Sequence, residues 1–122
     1  MTSEFLIREA RPADDPALID LLKGSDLWSP QRPSSSLELA RRTSPGLFLV
    51  AEFSGRIVGM ARAVWDGWYC KLCEMATLPD VRRQGVATLL LKELESRLTE
   101  KGAPFIGLNS SDVALPFYRR AG

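Results

Sequence analysis

The segment Thr77-Leu-Pro-Asp-Val-Arg-Arg-Gln-Gly-Val-Ala-Thr88 sets a glycine between a strand-forming stretch and a strongly amphipathic, leucine-bearing one. Strand, tight loop and helix N-terminus together make a cradle for an anion. The first four N–H groups of a helix have no internal acceptor, the macrodipole adds about half a positive charge, and Gly85 and Ala87 keep bulk away from an approaching ligand. A phosphate group meets that need. A tight turn that binds nothing also asks for a glycine, so loop chemistry alone leaves both readings open. Two other phosphate-binding patterns fail on spacing: G-x-x-x-x-G-K-[ST] is absent, and Gly85 lacks the companion glycines of G-x-G-x-x-G.

The chain contains no His, which removes Ser/His/Asp and Cys/His catalysis and the common zinc sites. Cys70 and Cys73 form a single C-x-x-C with no second pair, so no metal is expected. An offset of three along a strand sends the two thiols to opposite faces, which also disfavours a disulfide. With 16 Lys+Arg against 15 Asp+Glu in 122 residues, there is no basic excess for a nucleic acid or an anionic membrane surface. The longest apolar run, Val86 to Leu91 with Thr88 inside it, is far too short to span a bilayer. The stretch Met1 to Glu9 has no basic region followed by an apolar core, so a cytoplasmic protein without a secretory signal is expected. The 45% hydrophobic and 25% charged content describes one globular domain, residues 1–122.

The elements that must position the Gly85 loop follow from periodicity. Phe5 to Arg8 starts a strand. Asp15 before Pro16 reads as a helix N-cap, with Leu18, Leu21 and Leu22 as the apolar face and Gly24 as the stop. Ser25 to Ser36 is a loop, and Ser35 with Glu38 fits a capping box for a short helix over Leu37 to Arg42. Leu47 to Phe53 and Arg56 to Trp65 form a hairpin across Ser54-Gly55; Asp66-Gly67 turns into a third strand, Trp68 to Leu78. Val86, Leu90, Leu94 and Leu98 recur at helical spacing up to Gly102. Phe105 to Leu108 is a short strand, and Ala114 to Arg120 a last helix. The order β-α-α-β-β-β-α-β-α predicts an α+β chain around a mixed, mostly antiparallel sheet flanked by helices.

At this point the residues resemble a family. Arg82-Arg-Gln-Gly-Val-Ala87 is similar to the R/Q-x-x-G-x-G/A motif of the GNAT N-acetyltransferase superfamily. Ile7-Arg-Glu-Ala-Arg-Pro-Ala-Asp-Asp15 resembles that family's first strand and the start of its first helix. Ala114-Leu-Pro-Phe-Tyr-Arg-Arg-Ala-Gly122 resembles the A-x-x-[FL]-Y-x-[KR]-x-G stretch of its last helix. The resemblance implies transfer of an acetyl group from acetyl-CoA, the cosubstrate, to an amine in a ternary complex, the acceptor being a small-molecule amine or a protein amino group. It implies that Arg82, Arg83, Gln84, Gly85, Val86, Ala87 and Thr88 hold the CoA pyrophosphate, that the strand Met75, Ala76, Thr77 pairs with the pantetheine arm, and that Ser111 stands where the family has an Asn.

The same resemblance makes Tyr118 the general acid toward the CoA sulfur, its alternative being an aromatic that anchors the last helix. The oxyanion would be met by a strand amide near Met75 or Ala76. Without His, either a carboxylate acting through water or no enzymic base must serve; of the carboxylates, Glu74 comes first and Asp66 second. Trp28, Trp65 and Trp68 could wall an acceptor pocket or simply pack. Family members carry two more strands beyond the glycine at 122, so the expectation is a homodimer that completes the sheet edge, or a chain cut short. A non-catalytic module that binds CoA without turnover, or an interaction domain whose loop binds nothing, is the competing function.

Overall fold

The computed structural model describes residues 4–33 and 35–103. Within them the chain runs β1 (Leu6–Glu9), α1 (Asp15–Gly24), α2 (Ser36–Thr43), β2 (Phe48–Phe53), β3 (Arg56–Trp65), β4 (Cys70–Thr77) and α3 (Val86–Glu100). Short 3-10 turns stand at Pro12–Asp14 and Pro79–Val81. The expected strand at Phe105 to Leu108 and the helix at Ala114 to Arg120 lie outside the described residues. The described strands pair antiparallel throughout, in the order β1-β2-β3-β4, as the two short turns between β2, β3 and β4 require.

Alternation along β2 divides the core into two layers. Leu49 and Ala51 join Ala61, Ala63, Cys70 and Leu72 against the Val86, Leu90, Leu91, Leu94 and Leu98 stripe of α3. Phe48 and Val50 face the other way, with Met60 and Ala76, onto Leu18, Leu21 and Leu22 of α1 and Leu37 of α2. The sheet is thus covered on both faces. Each of the large aliphatic side chains that α3 buries contributes about 1.5–3 kcal/mol, which makes this helix the best-anchored element beside the loop before it.

Ser54 and Gly55 both adopt positive φ, 51° and 79°, the conformation a two-residue hairpin turn needs to match strand twist. The third strand starts later than the sequence suggests, at Cys70 rather than Trp68. Asp66 is the cause: its Oδ1 accepts from the amides of Trp68 (2.8 Å) and Tyr69 (2.7 Å), holding both in the turn. At the start of α1 the capping position falls to Asp14, not Asp15. Asp14 Oδ2 accepts from the Arg11 amide at 2.8 Å and its carboxylate pairs with Arg8 at 2.8 and 2.9 Å. The Arg8 hydrogen bonds hold the Asp14 carboxyl below the usual range despite its burial. Asp15 instead pairs with Arg41, tying α1 to α2. The Ser35–Glu38 capping box does not form; Ser35 is already helical at φ −67°, ψ −9°, and Glu38 faces Arg42.

Two β-bulges set which way the sheet's side chains point. Between β2 and β3 the register slips at Ala51/Glu52, leaving Val58 unmatched, and Gly59 then faces α3. A Cβ at Gly59 would stand 3.1 Å from Val86 Cγ1, 3.3 Å from Leu90 Cδ1 and 3.3 Å from the Ala76 carbonyl oxygen. The first turn of α3 therefore rests where a side chain would be. Gly59→Ala is expected to lower stability by about 1–3 kcal/mol, because one of the crowded neighbours is backbone and cannot rotate away. Denaturant unfolding measures this; an unchanged midpoint would mean the helix can lift off freely.

Candidate functional site

The candidate site is built where β4 hands over to α3. Leu78, extended as a residue before proline must be, donates its amide to Val58 O at 2.9 Å and closes the β3–β4 ladder. Pro79–Val81 turns the chain; Arg82 is extended, Arg83 adopts φ 74°, and Gly85 adopts φ 84°. Gln84 Nε2 donates to Asp80 O at 3.0 Å and Arg82 Nη2 to Thr77 O at 3.3 Å, so the loop braces itself on its own backbone. Arg82, Arg83, Gln84 and Gly85 are exposed, whereas Val86 is buried and pins the helix start to the core.

Gly85 is the residue before α3, and its carbonyl accepts from the Leu89 amide at 3.0 Å. The amides of Val86, Ala87 and Thr88 precede the first residue that can bond back in this way, so they are the donors the helix start leaves for a ligand. A Cβ built at Gly85 meets nothing within 4 Å. Positive potential, free donors and open space coincide at one point, and an anion fits it.

Along β4 the ladder sorts the backbone. Because Leu78 N donates to Val58 O and Ala76 pairs with Met60, alternation turns the Ala76 amide toward β3 and directs those of Met75 and Thr77 away from it. Of the two amides considered for an oxyanion, Met75 is therefore the one the ladder leaves outward. Upstream, Arg62 matches Glu74 and Ala63 matches Leu72, so Cys73 is the surplus residue of a second bulge. The bulge reverses the alternation: Leu72 packs on the α3 side, and Glu74 lies on the α1–α2 side, where it meets Arg62.

Glu74 is thereby committed to a partner. Arg62 Nε and Nη2 donate to its two oxygens at 2.7 and 3.0 Å, while Arg62 Nη1 reaches the buried Ser44 Oγ at 3.4 Å. Burial works against the Arg62 charge, but the Glu74 carboxylate outweighs it and holds the guanidinium above its ordinary value. Asp66 stands at the other end of β4, roughly 25 Å of strand from the Gly85 loop. The amides of Tyr69 and Trp68 hold its carboxyl below the usual range. The structure does not bring it to the site. Nor do the tryptophans form one wall: Trp28 packs on the α1–α2 side beneath Arg32, Trp65 on the α3 side, and Trp68 is 81% exposed. Cys70 and Cys73 form no disulfide with each other; Cys70 is buried, and that burial pushes its thiol up. Among the described residues no group of three or more His, Cys, Asp or Glu is arranged to hold a metal, and no helix is long and apolar enough to cross a membrane. Tyr118 and Ser111 lie outside the described residues.

The described residues thus form an antiparallel sheet covered on both faces, leading through a left-handed glycine into a helix that buries its leucine stripe on the sheet. The chain superposes on Ard1 from Thermoplasma volcanium with a TM-score of 0.76 at 20% identity, covering 98% of this chain and 82% of that one. It superposes on an acetyltransferase from Trypanosoma brucei with a TM-score of 0.75 at 24% identity, over 97% and 91% of the two chains. A third similar structure is yncA, a putative acetyltransferase from Salmonella typhimurium with its cofactor acetyl-CoA, at TM-score 0.67, 20% identity and 83% and 66% coverage. The model of the acetyltransferase (GNAT) family matches residues 14–122, and the chain belongs to that family. Acetyl-CoA-dependent acetylation is the family's general activity.

Proposed function

We propose that this chain is an N-acetyltransferase that moves an acetyl group from acetyl-CoA to a primary amine, on a small molecule or a protein, by direct transfer in a ternary complex. The observation that carries the reading is the open left-handed Gly85 ahead of the amides of Val86, Ala87 and Thr88. A diphosphate fits there: the space a Cβ would take is empty, and the donors are backbone groups at the helix start. Arg82, Arg83 and Gln84 complete the loop around it, with Ser111 as a further contact. Met75, Ala76 and Thr77 form the strand for the pantetheine arm, and the Met75 amide is the donor for the oxyanion.

Bound acetyl-CoA supplies the activated acetyl group. The chain's own part is to orient it, to take a proton from the amine and to give one to the departing sulfur. Tyr118 is the donor to sulfur in this reading. Glu74 takes the amine proton through water, and Arg62 is its positioning residue, fixing both carboxylate oxygens. That same pairing favours a second reading, a CoA-binding module without turnover, since a carboxylate engaged on both oxygens has less to offer a water.

Titration with acetyl-CoA tests the first step, with ATP and NAD as controls. At a hundredfold excess over Kd the ligand should add about 2.7 kcal/mol, a rise of roughly 10 °C in Tm, and the controls should add nothing comparable. No response to acetyl-CoA, or an equal one to ATP, would sink the diphosphate assignment. Thiol release with a panel of amines then separates enzyme from binding module.

A further inference from the structure

An ion pair stands at the rim of the loop with no role in the reading above. Arg56 opens β3 directly after the Ser54-Gly55 turn, and its Nη2 lies 3.2 and 3.4 Å from the two oxygens of Asp80. Asp80 belongs to the Pro79–Val81 turn, and its carbonyl accepts from Gln84 Nε2 at 3.0 Å, so Arg56 is two contacts from the residue beside Gly85. The pair is loose and open. Its side chains are 56% and 60% exposed, against 19% and 23% for Arg62–Glu74 with contacts of 2.7 and 3.0 Å. An exposed pair of this kind adds little to stability, so Arg56 can leave Asp80 at small cost.

We propose that Arg56 is a phosphate ligand parked on Asp80, and that it exchanges Asp80 for the 3′-phosphate of coenzyme A. The inference rests on the reading that the start of α3 takes the diphosphate. That site uses backbone amides, and the ligand carries a further phosphate on its ribose, outside the diphosphate. Arg82 is turned back onto Thr77 O, which leaves it poorly placed to follow the ligand outward. Arg56 engages Asp80 through one nitrogen only, so its Nε and Nη1 donors have no partner among the described residues. A guanidinium in that state gains on meeting phosphate, whose oxygens accept two parallel N–H bonds.

The exchange makes a prediction of opposite signs. Asp80 competes with the phosphate for Arg56, so removing the carboxylate should help binding, whereas removing the guanidinium should hurt it. If the pair merely pinned the loop, both changes would hurt. The test is calorimetric titration of the wild type, Arg56→Ala and Asp80→Asn with CoA and with dephospho-CoA, which lacks the 3′-phosphate. Arg56→Ala is expected to weaken CoA about five- to tenfold and to leave dephospho-CoA unchanged. Asp80→Asn is expected to tighten CoA about two- to fivefold. Unchanged CoA affinity in Arg56→Ala, an equal loss for both ligands, or weakening by Asp80→Asn would overturn the proposal. A wild type that binds neither ligand would overturn the diphosphate reading as well, a result distinct from a wild type that binds CoA and an Arg56→Ala protein that binds it equally.

Discussion

Gly85→Glu is expected to weaken CoA binding by at least about a hundredfold while the fold survives. Two effects reach the ligand together. In the proposed reading the new carboxylate enters the space assigned to the diphosphate, adding like charge, and it can itself accept from the amides of Val86, Ala87 and Thr88. Losing even one or two such charge-assisted contacts, at about 1.5–3 kcal/mol each, accounts for the hundredfold. The fold is spared because the side chain enters open space, with nothing within 4 Å of its Cβ. Strain from φ 84° costs about 1–2 kcal/mol, and a negative group at the helix start returns about 0.3–1 kcal/mol of that. Gly85→Ala is the control: it carries the strain without the carboxylate and should lose much less affinity. Calorimetry gives the affinities and a circular-dichroism melt the fold. CoA bound equally well by the glutamate variant would remove the loop from the site.

The second large effect is expected at Tyr118. Tyr118→Phe keeps the ring and removes only the hydroxyl, so a packing role would be preserved and a proton-donating role lost. General acid catalysis of thiol departure contributes about a hundredfold or more, and that is the expected fall in transfer rate. CoA affinity should move by no more than about twofold, because a donor that serves the departing sulfur acts in the transition state rather than in the bound ground state. Steady-state thiol release on one amine, set beside calorimetric CoA binding, separates the two quantities. Equal rates in the two proteins would return Tyr118 to the role of an aromatic anchor.

Much of the site's frame could be read from the residues, because local chemistry dictates it. Pro79 stops a strand, Gly85 supplies the left-handed step, and the leucines at helical spacing place α3 at Val86 with no help from tertiary contacts. The Ser54-Gly55 hairpin is equally local. What could not be read depends on partners across the sheet. Cys73 has no feature that marks a bulge; it becomes surplus only because Arg62 and Ala63 pair with Glu74 and Leu72. That slip is what brings Glu74 to Arg62, so a carboxylate that looks available in the sequence is bound in the fold. The Ser35–Glu38 box satisfied a pattern, yet Ser35 is drawn into helical geometry and its side chain makes no cap bond. Gly59 carried no signal either, since its purpose lies on a helix that begins far along the chain. Arg56 and Asp80, 24 positions apart, meet only because the β2–β3 turn and the β4–α3 loop share one end of the sheet.

The missing side chain at Gly59 makes core and ligand parts of a single thermodynamic system. Val86 and Leu90 occupy its place, and Val86 directly follows Gly85, so the position of the amides proposed to bind the diphosphate is inherited from interior packing and not from the loop alone. Repacking the interior on that side, even with residues remote from any ligand, will therefore surface as altered affinity. By reciprocity, a tenant at the helix start will tighten the protein's middle, and efforts to harden this protein and to retune its cosubstrate grip cannot be pursued separately.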